Sequence, residues 1–246
     1  MNTMKLRGTE IALIGIMASL IVASGYVPII PIVGTGYSIS LGSVLIQIVA
    51  VILGPLLGVL AVLVGSFSGM VLTGQGIQFL FFIPATVGAL TTALLVFGKA
   101  REALLVILCT LAFWYVSPYG VELWYYPYML IGVCVIIAAM SPLLKGLKIR
   151  ESRYQYPLLV LFCTAGVLCD QLLGSTIAIF PPFELPSGAY KAILYIYPIE
   201  RMAISLVSAT VAVPVLRALG QSNISILDEG RTVSRESPIE DTGSRL

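Results

Sequence analysis

An all-α bundle of about eight membrane-spanning helices is the fold class this sequence predicts, and three observations predict it. Residues 11–98 run for 88 positions without an Asp, Glu, Lys, Arg or His, whereas a water-facing surface of that length needs ionised groups to stay solvated. Hydrophobic residues make up 58% of the 246-residue chain and charged ones 11%, with a mean hydropathy of +1.00, the composition of a polytopic membrane protein. Basic residues also recur at every second connection between apolar runs, as alternating spans require.

The spans follow in order. Lys5 and Arg7 precede the first apolar run, residues 11–27, which reads as a retained helix rather than a signal peptide because further spans follow it. A loop over 28–40 leads to residues 41–72, too long for one crossing. Gly54-Pro55 divides that stretch, since proline disfavours helix at the residue before it, giving a second span over 41–53 and a third over 55–72. The second is short, about 20 Å at the α-helical rise, so neighbours must shelter its ends. Residues 77–97, 103–117, 123–144 and 157–180 supply the fourth to seventh spans, and the eighth ends near residue 219.

Orientation decides that 41–72 is two helices. With eight spans, Lys5, Arg7, Lys99, Arg101, Lys145, Lys148, Arg150, Arg153 and Arg217 share one side and only Lys191 falls on the other, so both termini are expected in the cytoplasm of a multi-pass cell-membrane protein. Residues 1–220 are read as the bundle. Residues 221–246 carry Asp228, Glu229, Glu236, Glu240 and Asp241 against three arginines without apolar periodicity, a polar, disordered cytoplasmic tail.

Composition also excludes function classes. A net charge of +2 is too small to suggest nucleic-acid binding. Absence of histidine removes His-based acid–base catalysis, Ser-His nucleophiles and His-ligated metal centres, so no enzyme, cofactor or metal is expected. Cys109, Cys134, Cys163 and Cys169 fall in apolar runs without C-x-x-C spacing and read as inert packing thiols.

Small residues recur on the first span at Gly15, Ser19 and Ala23, a stripe that lets another helix approach closely in lipid. Its partner is either a helix of this chain or another subunit. Gly58, Gly65 and Gly69 make a similar row on the third span.

Leu41-Gly42-Ser43 opens the second span, and Val49-Ala50-Val51-Ile52-Leu53-Gly54-Pro55-Leu56-Leu57-Gly58 turns it into the third. With the small-residue first helix and the stretch from Tyr197-Pro198-Ile199-Glu200-Arg201 to Leu219, these segments resemble the substrate-binding S component of energy-coupling factor (ECF) transporters. The chain departs from that family in two ways. Its first helix carries Gly15, Ser19 and Ala23 in place of an Ala-x-x-x-Ala motif, and its eight helices exceed the usual six by a hairpin over 103–144. The resemblance implies a receptor that captures a vitamin or related small molecule outside the cell, with a transmembrane coupling subunit meeting Gly15, Ser19 and Ala23 and two ATP-binding subunits driving uptake. No G-x-x-x-x-G-K-[ST] phosphate loop occurs in this chain, so ATP hydrolysis would come from partners. The same lack of histidine speaks against metal-ion cargo.

Ionisable and polar groups inside spans are costly and so mark candidate sites. They are Asp170 and Gln171 in the seventh span, Glu200 and Arg201 in the eighth, Glu122 at the start of the sixth, and Gln47 in the second. Asp170 and Arg201 admit two readings, a ligand cradle or an ion pair that locks two helices. Aromatic residues crowd the outer side, and Trp124, Tyr195 and Tyr197 are the candidates to stack on a planar ligand, although aromatic belts form at any membrane interface. Gln75 and Gln78 could line a loop at the same mouth. The competing function is a self-sufficient, proton-coupled secondary transporter using Asp170.

Overall fold

The computed structural model describes residues 7–31, 38–72, 80–144, 154–181 and 183–221. Lys5, Gln75, Gln78, the basic residues of 145–153 and the tail after residue 221 lie outside them. The elements are α1 (Gly8–Gly25), a two-stranded antiparallel ribbon of β1 (Pro28–Pro31) and β2 (Ser38–Ser40), α2 (Leu41–Leu72), α3 (Phe82–Val96), α4 (Ala100–Val116), α5 (Tyr128–Leu144), α6 (Gln155–Ile177), the short α7 (Ser187–Ile193) and α8 (Tyr197–Gln221). Four helices, α1, α2, α6 and α8, are long and apolar enough to cross a membrane by length and composition, while α3 and α5 are shorter apolar helices.

α2 is two helical halves joined at a sharp break in its path. Gly54 sits at φ 81°, ψ −170°, a backbone conformation open essentially to glycine alone, and Pro55 starts the second half where a missing N–H costs nothing. A Cβ built on Gly58 would lie 3.0 Å from the Val49 carbonyl and 3.2 Å from the Ala50 Cα. Nine residues of straight helix would separate these positions by about 13 Å, so the halves fold back on one another as a hairpin. The predicted division at Gly54-Pro55 is the one found, and the eight predicted spans correspond to α1, the two halves of α2, and α3, α4, α5, α6 and α8.

Close backbone approach packs these helices. Gly65 on α2 meets Ala18 and Ile21 of α1, where a Cβ would fall 2.9 Å from the Ala18 carbonyl. Gly88 on α3 and Gly166 on α6 cross so tightly that a Cβ on Gly88 would lie 2.6 Å from the Gly166 carbonyl. Glycine does here what shape-matched apolar side chains do in a water-soluble core, because lipid provides no hydrophobic drive between helices. Polar side chains within spans satisfy themselves locally: the hydroxyls of Thr86, Thr91, Thr110, Thr164, Thr176 and Ser205 donate to the carbonyl four residues earlier, which keeps them tolerable in an apolar setting.

Apolar faces turn outward as a lipid-facing surface should. Leu105, Leu108, Phe113 and Val116 of α4 and Val135, Ile136 and Leu143 of α5 are exposed. Cys163 and Cys169 are buried, but Cys109 faces outward, so packing inside the protein does not describe that thiol. Two stretches differ from the sequence expectation. The 28–40 loop contains the ribbon, and the sixth span begins at Tyr128 rather than 123, because turns occupy residues 118–127. Gly120 enforces the first of these turns: a Cβ there would lie 2.5 Å from the Tyr115 carbonyl.

Candidate functional site

Six helix termini converge at the end of the bundle away from the start of α1 and the Gly54 turn. α1, α2 and α6 finish there, and α2, α3 and α8 begin there. Between them lies a cavity of about 470 Å³. Ile21, Val22 and Tyr26 line it from the end of α1, Gly42, Ser43 and Ile46 from the start of α2, and Ser66, Gly69 and Met70 from the end of α2. Phe81 and Ala85 close it from α3, Asp170, Gln171, Gly174 and Ser175 from α6, Tyr190 and Ile193 from α7, and Glu200 and Arg201 from the first turn of α8.

The local sequence explains this placement. Asp170, Gln171, Gly174 and Ser175 recur at helical i, i+1, i+4 and i+5 spacing and so share one face of α6. Gly174 keeps that face low, since its nearest neighbour would stand 3.5 Å from a Cβ, at the Phe81 ring. α8 begins at Tyr197, so Glu200 and Arg201 sit at the cavity mouth rather than deep along a longer helix. Glu200 occupies the first helical turn, where the positive end of the helix dipole favours a carboxylate.

Glu200 and Arg201 are buried, at 7% and 8% exposure. Among the described residues no carboxylate lies within salt-bridge distance of Arg201, and the one ion pair is Lys191–Glu122 at 3.1 Å. The Arg201 Nε and the Ser66 Oγ are buried without a hydrogen-bond partner, an arrangement that native interiors avoid unless something else supplies the partner. The locked Asp170–Arg201 pair considered above is therefore not formed. Gln171 is more committed: its Nε2 donates to the Ser175 Oγ at 3.2 Å and to the Tyr126 hydroxyl at 3.4 Å.

Five of the sequence candidates are not at the cavity, and one of them, Glu122, is instead paired with Lys191 at 3.1 Å. Gln47 is fully buried, with its Oε1 accepting from the Thr92 hydroxyl, because its register on α2 turns it toward the α3–α6 crossing. Trp124 and Tyr195 are 66% and 80% exposed, since the turns before α5 and α8 point them outward. Tyr197 is buried, but its hydroxyl donates to the Tyr126 carbonyl at 2.9 Å, behind the cavity wall. There it joins Trp114, which stacks on Tyr126 at 4.8 Å, and Tyr190, whose hydroxyl donates to the Ser175 carbonyl at 2.9 Å. This cluster holds the α4–α5 hairpin against α6 and α7. Rings that do line the cavity are Tyr26, Tyr190, Phe81 and Phe183, the last two edge to face at 5.1 Å. Ser66 and Ser175 were missed too; Ser175, four residues after Gln171, was within reach of helical periodicity, but nothing in the sequence distinguishes Ser66.

Gly15, Ser19 and Ala23 all face outward on α1, while Ala18, Ile21 and Ser24 make its packing face. Among the described residues no atom lies within 4 Å of a Cβ built on Gly15. Among the described residues the stripe therefore has no partner helix within the chain.

Outside the membrane-spanning segments, Lys191 and Ser187 hydrogen-bond the Glu122 carboxylate and hold its pKa below the ordinary 4.5. A carboxylate lowered in this way favours the folded arrangement above its ordinary pKa, and the contribution is lost as pH falls through the lowered value. Limited proteolysis of the α7 segment is expected to accelerate only below about pH 4.5, and Lys191→Met is expected to remove that pH dependence.

Residues 5–148, more than half of the chain, match the family described as ECF-type riboflavin transporter, S component. An uncharacterized protein of Methanocaldococcus jannaschii is 22% identical over 180 residues, which cover 72% of this chain and 60% of that protein. The chain thus spans about 60% of the length of that curated relative. No solved structure matches. The matched region contains α1 to α5, whereas Asp170, Gln171, Glu200 and Arg201 lie beyond it.

Proposed function

We propose, for a chain that belongs to the ECF-type riboflavin transporter S component family, that the cavity at the shared end of α1, α2, α3, α6 and α8 captures a vitamin or related small organic molecule. The family is one of transporter components and not of enzymes. The observation that carries the site assignment is the conjunction, in one cavity of about 470 Å³, of apolar walls with buried polar atoms on Ser66 and Arg201 that have no partner. Ligand pockets have about this size, roughly 300–1,000 Å³, and this mixture of walls. Asp170, Gln171, Glu200 and Arg201 are the proposed polar contacts. Tyr26, Tyr190, Phe81 and Phe183 replace Trp124, Tyr195 and Tyr197 as the proposed ring contacts.

The cavity is proposed to open away from the cytoplasm. Arg7, Lys99, Arg101 and Arg217 all lie toward the opposite end of the bundle, which the positive-inside rule places in the cytoplasm. A periplasmic-type reporter enzyme fused after Gly98 is expected to stay inactive; activity would reverse the orientation. Gly15, Ser19 and Ala23 are the proposed contact with a transmembrane coupling subunit, which two ATP-binding subunits would drive.

Binding tests the receptor reading directly. Thiamine, riboflavin and biotin titrated into the purified full chain in lipid nanodiscs should include at least one that binds with a Kd near or below about 1 μM. Gly69→Phe should abolish that binding without changing elution on size exclusion. Among the described residues the nearest atom to a Cβ on Gly69 is 4.0 Å away, on Val22, which leaves a ring room to enter the cavity and fill it. Failure of all three to bind would remove the receptor reading.

A further inference from the structure

The acidic and basic groups that line the cavity are two carboxylates, Asp170 and Glu200, and one guanidinium, Arg201. Among the described residues nothing else lining the cavity restores the balance. Lys191 is held by Glu122 at 3.1 Å, and both are about half exposed. Residues 32–37, 73–79 and 182 contain no Asp, Glu, Lys, Arg or His.

Buried charge without a counter-charge is expensive in a lipid-embedded protein. Among the described residues neither Asp170 nor Glu200 has a hydrogen-bond donor or ion-pair partner, while Arg201, 8% exposed, keeps an unpartnered Nε. The three groups form no ion pair with one another among the described residues, yet all line one cavity.

We propose that the cavity selects a small organic molecule carrying one positive charge, held between Asp170 and Glu200, with a hydrogen-bond acceptor on its body taken by Arg201 and the Ser66 hydroxyl. This rests on the receptor reading and deepens it to a ligand class. A monocation brings the cavity to neutrality; a neutral ligand leaves one negative charge buried, and an anion doubles the deficit. The matched family is described by riboflavin, a neutral molecule, so a preference for a cation would set this chain apart from it; all three charged residues lie outside the matched residues 5–148.

Thiamine, riboflavin and biotin are a monocation, a neutral molecule and a monoanion at neutral pH, so the ranking of their affinities for the full chain in nanodiscs reads the charge preference. Thiamine is expected to bind at least about tenfold more tightly than riboflavin, with biotin weakest. Asp170→Asn and Glu200→Gln, which keep shape and remove charge, should each weaken thiamine by about tenfold or more. Riboflavin or biotin binding as tightly as thiamine to the unmodified protein would overturn the charge preference and leave the receptor reading standing, as would amide variants that bind thiamine undiminished. Binding of none of the three overturns both. The ranking on the unmodified chain decides the question even if an amide variant fails to fold.

Discussion

Arg201→Met is expected to weaken ligand capture by roughly 30- to 150-fold while the bundle stays folded. The side chain is 8% exposed, its Nε has no partner, and it faces the cavity, so its hydrogen-bonding capacity is unspent until a ligand arrives. A hydrogen bond to a charged group contributes about 1.5–3 kcal/mol, and loss of about 2–3 kcal/mol gives the stated factor. Methionine keeps the length and apolar stem of the side chain but leaves Asp170 and Glu200 at the cavity with no cation beside them, so the unliganded melting temperature is expected to fall somewhat. The monodisperse folded fraction should persist, while the increase in melting temperature that ligand gives the unmodified protein should vanish. A variant that no longer folds would show Arg201 to be a structural group.

Gly166→Leu is expected to abolish the folded protein. Gly166 lies where α6 crosses α3, and a Cβ there would run into the Thr92 hydroxyl and stand 2.9 Å from Gln47 Oε1. Thr92 donates to Gln47 Oε1 and also approaches the Phe162 carbonyl at 3.2 Å, so separating the helices strands a buried hydroxyl, an amide and a carbonyl together. Overpacking costs about 1–3 kcal/mol and unsatisfied buried polar groups about 1–3 kcal/mol each, against a total stability of about 5–15 kcal/mol. Size-exclusion chromatography should show the monodisperse peak replaced by aggregate. Gly15→Leu is the matched control: the same change on the outward face of α1 meets nothing within 4 Å and should leave the folded yield unchanged. Normal yield from Gly166→Leu would mean that the α3–α6 crossing is not as close as described.

The fold was legible because membrane physics acts on composition. A charge-free run of 88 residues leaves few architectures, and Gly54-Pro55 marks a turn by backbone chemistry alone, independent of its neighbours. Asp170, Gln171, Glu200 and Arg201 were legible for a related reason, since a polar group in an apolar span is costly enough to need a purpose. Trp124, Tyr195, Tyr197 and Gln47 misled because an aromatic ring or an amide fits a lipid interface, a helix crossing or a binding wall equally well. Register decides which, and register was lost in the turns at residues 118–127 and 194–196. The glycines carry the same lesson in reverse. Gly15 and Gly65 belong to similar small-residue rows, yet one faces outward and the other meets the Ala18 backbone.

By itself the sequence determined that this protein is a membrane bundle, where its chain turns back, and which few ionisable groups it carries inside the apolar phase, because each follows from the cost of placing residues in lipid. Only the tertiary structure decided that Asp170, Glu200 and Arg201 face one cavity unpaired, that Ser66 and Tyr190 join them and that Gln47 does not. The direction in which a side chain points depends on how neighbouring helices are rotated about their axes, and that rotation is set by contacts between segments far apart in the chain.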